Sequence, residues 1–276
     1  MSVVINAAEH AWVINDRRFP VDAEIASCPK NLPRRDYAAE HLISEMDVYE
    51  IDKTVISHVC YYGRNNDYTS YAVQTWPDRF AGIGLLVGHR LFEPGDEKNP
   101  DRLTYAMEEQ GLVGLRLSPI YDKENRWFDD PVMYPFWDRA QDLGAVFNIF
   151  LGPDQVDQVA NMARRFAGIK IVIDHIAMVD ITAPDEAGFG PLLNLNSLSN
   201  VYVRTSLHNP SLEETPYRDV WPFLERIYDA FGPQRLLFAN FFEYLIMKEM
   251  IPFFTEEDKG WVLGKTAAGI YFEGRE

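Results

Sequence analysis

Eight short apolar runs, each followed by a stretch able to form a helix, fill the chain from end to end, and this repetition limits its possible folds more than any other feature. The runs are Val3 to Ala11, Lys53 to Cys60, Phe80 to Val87, Gly111 to Pro119, Ala145 to Leu151, Lys170 to Ala177, Val201 to Ser206 and Arg235 to Phe242. They are nearly continuous rather than alternating, as parallel strands are when helices cover them outside and a core packs within. The pattern predicts a single-domain α/β fold, a (β/α)8 TIM barrel over residues 1–276. A doubly wound open sheet is the alternative, but no glycine-rich dinucleotide or P-loop fingerprint follows any run. In a barrel the chemistry sits at the carboxyl ends of the strands, so the fold expectation also says where to look.

Helical signals separate the runs. Ala39, Leu42, Ile43 and Met46 share a face within Asp36 to Glu50, and Val156, Val159, Met162 and Ala163 share one within Asp154 to Phe166, with Asp154 as the expected N-cap. Asp130 before Pro131 predicts a capped start for the helix that carries Met133, Phe136, Trp137 and Ala140. Tyr217 to Phe231 and Thr255 to Tyr271 repeat the pattern. Three connections are long: Trp12 to Arg35, Gly88 to Asn99 and Ile120 to Asp130. The aromatic residues of the first and third, Trp12, Phe19, Tyr121, Trp127 and Phe128, suit lids or subunit contacts.

The net charge of −16 argues against nucleic acid or an anionic membrane as a partner, which leaves a small molecule. No segment approaches the roughly 20 apolar residues of a membrane span, and no signal-peptide pattern opens the chain, so a cytoplasmic location is expected. Cys28 and Cys60 are too few for a thiolate metal site and read as reduced thiols. Phe253, Phe254 and Trp261 could serve a homodimer contact, against the simpler reading of last-helix packing.

Polar residues gather where the strands should end. His10 closes the first run and His175 the sixth, Ile171-Val172-Ile173-Asp174-His175, with Asp174 expected to face away from the ring. The second run supplies His58 and Cys60, followed by Tyr61, Tyr62 and Arg64. Arg116 and Arg204 stand in the fourth and seventh. A guanidinium near the barrel top is costly unless paired, so each either bridges to an acid such as Asp174 or binds an anionic group bidentately. For Arg204 the salt bridge is the favoured reading. The eighth run ends Phe238-Ala239-Asn240-Phe241-Phe242-Glu243, and the fifth ends at Phe150-Leu151 without a strong metal ligand.

Taken together, these strand ends resemble the amidohydrolase-related family, especially its lactonase-like branch. Its opening Ile-Asp-x-His-x-His-x-Trp is similar to Ile5-Asn6-Ala7-Ala8-Glu9-His10-Ala11-Trp12, its fourth-strand Gly-x-Arg to Gly114-Leu115-Arg116, and its sixth-strand Asp-His to Asp174-His175. Several positions depart from the pattern. Ala8 replaces the first histidine, Phe150 fills the place of the strand-five histidine used by metal-binding relatives, and Phe241 replaces the strand-eight aspartate that binds metal or activates water.

The resemblance implies a metal-independent hydrolase, without a cofactor, acting on a small carboxylated and cyclic substrate of lactone type. In that expectation His10 and His175 share acid–base work, and Arg116 clamps a carboxylate or stabilises the oxyanion. His58, Tyr61, Arg204, Asn240, Phe150 and Phe241 line the substrate site. Water activation is unassigned, and Glu243, two residues past Phe241, could swing into the role. A metal-free lyase, decarboxylase or isomerase needs no activated water and is the alternative enzyme. A barrel that has lost catalysis and only binds a ligand is the third.

Overall fold

The computed structural model describes residues 3–22, 32–86, 93–183 and 189–274. Cys28, the middle of the first long connection and the start of the second lie outside the described residues. Eight parallel strands pair in sequence order: β1 (Ile5–Glu9), β2 (Lys53–Ser57), β3 (Phe80–Gly84), β4 (Gly114–Leu117), β5 (Val146–Ile149), β6 (Lys170–Ile173), β7 (Val201–Arg204) and β8 (Leu236–Leu237). The amide of Ala7 donates to the carbonyl of Phe238 at 3.1 Å and brings β1 against the last strand, which closes the expected (β/α)8 barrel.

The outer ring is built from α1 (Ala39–Tyr49), α2 (Asp67–Thr75), α3 (Asn99–Glu108), α4 (Tyr134–Asp142), α5 (Val156–Arg165), α6 (Phe189–Asn194), α7 (Trp221–Phe231) and α8 (Phe241–Leu245), with α9 (Glu256–Gly260) and α10 (Thr266–Tyr271) at the end of the described chain. The outward faces of the strands pack on Leu42, Met46, Trp137, Val159, Leu224 and their neighbours. Inside, Ile5, Ala7, Val55, Ile83, Val113, Val146, Val172 and Leu237 fill the barrel, and Ile270 and Tyr271 of α10 join that inner cluster. The Tyr271 hydroxyl donates to Asn148 Oδ1 at 2.8 Å. No helix among the described residues is long and apolar enough to cross a membrane.

The strands are shorter than the apolar runs, because the runs continue into loops that are also buried. The sixth run, read as far as Ala177, leaves β6 after Ile173, and His175, Ile176, Ala177 and Met178 all have φ between 50° and 55°. α5 begins at Val156 after a tight turn over Pro153–Gln155, so Asp154 is not its N-cap; the Gln155 side chain accepts from the Gly152 amide at 3.0 Å instead. Asp130 does cap its turn, accepting from the Val132 amide at 2.9 Å. α7 starts at Trp221 rather than Tyr217, which sits at φ 60°. Trp127 and Phe128 are core residues, with Phe128 edge-on to Trp137 at 5.2 Å, and Phe253 and Phe254 pack on Tyr228.

Candidate active site

At the carboxyl end of the barrel, Ala8, Glu9, His10, Ser57, Arg116, His175, Arg204, Ala239 and Asn240 border a small cavity of about 20 Å³. That is room for one small polar group. Five residues expected at the site, His10, Arg116, His175, Arg204 and Asn240, therefore converge from β1, β4, β6, β7 and β8.

Local backbone features set each of them. The pairing of β1 with β2 slips between Asn6, opposite Thr54, and Glu9, opposite Ile56. Such an irregularity breaks strict alternation, so three successive residues, Ala8 to His10, reach the cavity border. Asn6 holds the slip: its buried Oδ1 accepts from the amides of Ala8 at 3.3 Å and Asn240 at 3.0 Å. On β4, a Cβ at Gly114 would lie 1.8 Å from the carbonyl oxygen of Val146, so only glycine lets β4 approach β5 at the residue that precedes Leu115 and Arg116.

At the centre, the Asp174 carboxylate stands between two guanidiniums. Arg116 Nε donates to Oδ2 at 2.9 Å, and Arg204 Nη2 forms an ion pair with Oδ1 at 2.6 Å. Asp174 is sealed from solvent, as is Arg204 apart from 2% of its side chain, while Arg116 keeps 15% exposure. Burial works to raise the Asp174 carboxyl, but Arg204 and Arg116 outweigh it and hold the group below the usual carboxylate range. Two cations against one anion leave the cluster with one net positive charge.

The histidines beside it are held neutral. Burial, followed by the Arg116 charge, lowers His10 to about 4, and burial, followed by Arg204, lowers His175 to about 3. His10 Nδ1 lies 2.7 Å from the Ser57 carbonyl oxygen. A carbonyl only accepts, so Nδ1 carries the proton and Nε2 the lone pair. His175 reaches the cavity by the left-handed turn after β6, which costs its non-glycine residues about 1–2 kcal/mol each. This turn also removes the expected opposition of Asp174 and His175: the acid faces the arginines and the ring still borders the cavity. His175 Nδ1, Arg204 Nε, Ser206 Oγ, Ser57 Oγ and Asn240 Nδ2 are buried without a hydrogen-bond partner among the described residues.

Phe150 adjoins the cavity through both partners, with the Arg116 guanidinium 4.5 Å over its ring and His175 edge-on at 5.5 Å. Three other expected lining residues stand elsewhere. His58 is buried, its Nδ1 2.7 Å from Thr69 Oγ1 and its ring against Tyr62. Tyr61 packs edge-on to Trp12, and Phe241 stacks on Tyr49 of α1 at 6.0 Å. The position vacated by the aspartate thus serves helix packing.

Glu243 does not swing toward the cavity. Its carboxylate is fully buried and accepts from the amides of Leu207 and His208, both at 3.0 Å, while His208 Nδ1 lies 2.5 Å from Oε1. His208, which the sequence reading passed over, stands with its ring centroid 6.4 Å from that of His175. Its position four residues past the end of β7, in a barrel whose next strand leads to an acid, was the available signal. Glu9, which strict alternation would turn away from His10, borders the cavity beside it, and burial, above all, raises its carboxyl to about 7. Among the described residues, no three of His, Cys, Asp and Glu form a group able to hold a metal ion.

Residues 10–240 match the family model described as amidohydrolase. The chain is 29% identical to the L-fucono-1,5-lactonase of Burkholderia ambifaria over 121 residues, which span 42% of this chain and only 41% of that relative. The crystal structure of a probable 2-pyrone-4,6-dicarboxylic acid hydrolase from Acinetobacter baumannii with citric acid bound superposes with a TM-score of 0.76 at 16% identity, covering 97% of this chain and 98% of that one. A zinc-bound amidohydrolase from Burkholderia multivorans gives 0.75 at 18% identity over 98% and 99%. At these identities the structural likenesses establish the fold.

Proposed function

Since the chain belongs to the amidohydrolase family, we propose that it is a metal-independent hydrolase that opens a small carboxylated lactone. The observation that carries this reading is the Arg116–Asp174–Arg204 cluster at the cavity, whose surplus positive charge suits a substrate carboxylate. The lactonase relative and the citrate held by a protein of the same fold agree with an anionic, oxygen-rich ligand.

The small cavity takes one polar group of the substrate, and the body of the molecule lies toward Phe150 and the rim. Arg116 is the more exposed guanidinium and has its other face on Phe150, so it meets the carboxylate while Arg204 stays bound to Asp174. His175, neutral at pH 7, hydrogen-bonds the lactone carbonyl without charging, while His10, its Nδ1 proton held by the Ser57 carbonyl, offers Nε2 only as an acceptor. Their lowered basicity makes both poor acceptors for the proton of water, which narrows the expectation that they share acid–base work.

A divalent ion fits these residues badly. Ala8, Phe150 and Phe241 offer no ligand, and Arg116 and Arg204 would repel a dication beside His10 and His175. The test is turnover of a panel of lactones, including L-fucono-1,5-lactone and 2-pyrone-4,6-dicarboxylate, with and without chelator, beside metal analysis. Turnover that survives chelation is expected. Stoichiometric zinc or manganese whose removal stops turnover overturns metal independence, and decarboxylation without ring opening overturns hydrolysis.

A further inference from the structure

We propose that His208, fixed by the buried carboxylate of Glu243, is the base that activates the attacking water, a role that rests on the hydrolase reading above. The two residues come from different strand ends, His208 from the loop after β7 and Glu243 from α8 after β8, and meet because these strands are neighbours in the barrel. Glu243 is more than a first-turn charge. Both its oxygens are used, one on the Leu207 amide and the other on the amide and ring of His208, so the carboxylate sets the loop and the imidazole together.

The geometry fixes the form of the ring. A carboxylate accepts, so Nδ1 carries the proton, and Nε2 is left as the acceptor, taking an N–H from Asn209 Nδ2 at 3.2 Å that the attacking water must replace. The side chain is 33% exposed, whereas the acid behind it is closed off entirely. His208 therefore faces the rim with a carboxylate at its back, and it stands edge-on to His175, with Phe242 5.0 Å away on another side. This is the arrangement that orients a general base and stabilises the imidazolium it becomes. It places a base with a carboxylate behind it where the loop after β7 meets α8.

The step balances. Once water displaces the Asn209 amide, Nε2 of His208 takes a proton from it as the water oxygen bonds to the lactone carbonyl carbon, giving a tetrahedral oxyanion held by His175. Collapse of that oxyanion breaks the ring C–O bond, and the departing alkoxide takes the proton back from Nε2. The products are one hydroxy acid and the regenerated imidazole.

Wild type, His208→Gln and Glu243→Gln are compared by citrate binding in calorimetry, by kcat and KM on the lactone that wild type opens fastest, and by diethyl pyrocarbonate labelling of wild-type histidines with and without citrate. His208→Gln is expected to bind citrate within about threefold of wild type and to lose about 10²–10³-fold in kcat. Glu243→Gln should lower kcat with KM little changed, a split that general loosening of the loop would not give. Citrate should shield His208 from labelling. His208→Gln with kcat within threefold of wild type, or His208 labelled equally fast with citrate present, overturns the assignment while leaving the hydrolase reading intact. A wild type that opens no lactone overturns the hydrolase reading, and this step with it.

Discussion

Arg204 meets Asp174 at 2.6 Å inside the barrel with both side chains closed to solvent, one at 2% and the other at 0% exposure. Neither group could remain charged there alone, since an unpaired buried ion costs several kcal/mol. The pair is thus a fixed base on which the more exposed Arg116 is mounted by its Nε, leaving its other nitrogens for substrate.

Asp174→Asn strands two guanidiniums without a counter-charge. It should destabilise the fold by about 3–5 kcal/mol, read as a lowered midpoint in urea unfolding at pH 7. Asp16→Asn, which breaks the exposed pair with Arg18, should leave the midpoint unchanged. Equal midpoints for the two variants would contradict the buried bridge.

Arg116→Lys keeps the charge but loses the planar fork and its stacking on Phe150. KM for a carboxylated lactone should rise about 10–100-fold, while an uncharged lactone should be affected far less. A similar loss for both substrates would place Arg116 at the carbonyl rather than at the carboxylate.

Buried neutral histidines predict acid sensitivity. His10, His58 and His175 are lowered from 6.5 to about 4, 3 and 3, burial being the first cause in each. Below pH 6.5 the unfolded chain takes up protons that the folded chain refuses, so the stability they contribute is full above 6.5 and is lost as pH falls toward 4 and 3. Glu9, raised to about 7 from 4.5, acts oppositely, its contribution being full below 4.5 and lost as pH rises through 7. Three histidines outweigh one glutamate, so unfolding free energy should decline from pH 6.5 to pH 4. His58→Asn should flatten that decline when urea midpoints are compared at pH 7, 6, 5 and 4.

The left-handed turn predicts which substitutions it tolerates. Ala177 is fully buried at φ 55°. Replacing it with glycine loses a methyl worth about 0.8 kcal/mol but relieves a left-handed penalty of about 1–2 kcal/mol. Ala177→Gly should therefore unfold within about 1 kcal/mol of wild type, unlike Ala177→Val, which adds a β-branched side chain in the same conformation and should cost more than 2 kcal/mol. A large loss in the glycine variant would mean that packing, not conformation, limits this turn.

Gly114→Ala should be severe. The Cβ would meet the backbone of Val146, which cannot yield as a side chain can, so β4 and β5 must part beneath Arg116. Both thermal stability and citrate binding should fall together.

The sequence by itself determined the barrel, because eight apolar runs separated by amphipathic helices leave few other ways to bury their faces. It also determined which strand ends carry His10, Arg116, His175, Arg204 and Asn240, since a residue that ends a parallel strand must stand at the mouth. What each side chain faces was decided only by the tertiary structure. The slip in β1 and the left-handed turn after Ile173 both break the alternation on which a sequence argument depends, and Ile176, Ala177 and Met178 give no local hint of positive φ. His58, Tyr61 and Phe241 look like mouth residues in a linear reading, but packing against Thr69, Trp12 and Tyr49 takes them up. The pairing of His208 with Glu243 joins residues 35 apart through the adjacency of β7 and β8. Long-range contacts of this kind depend on barrel closure and side-chain packing, which no local pattern records.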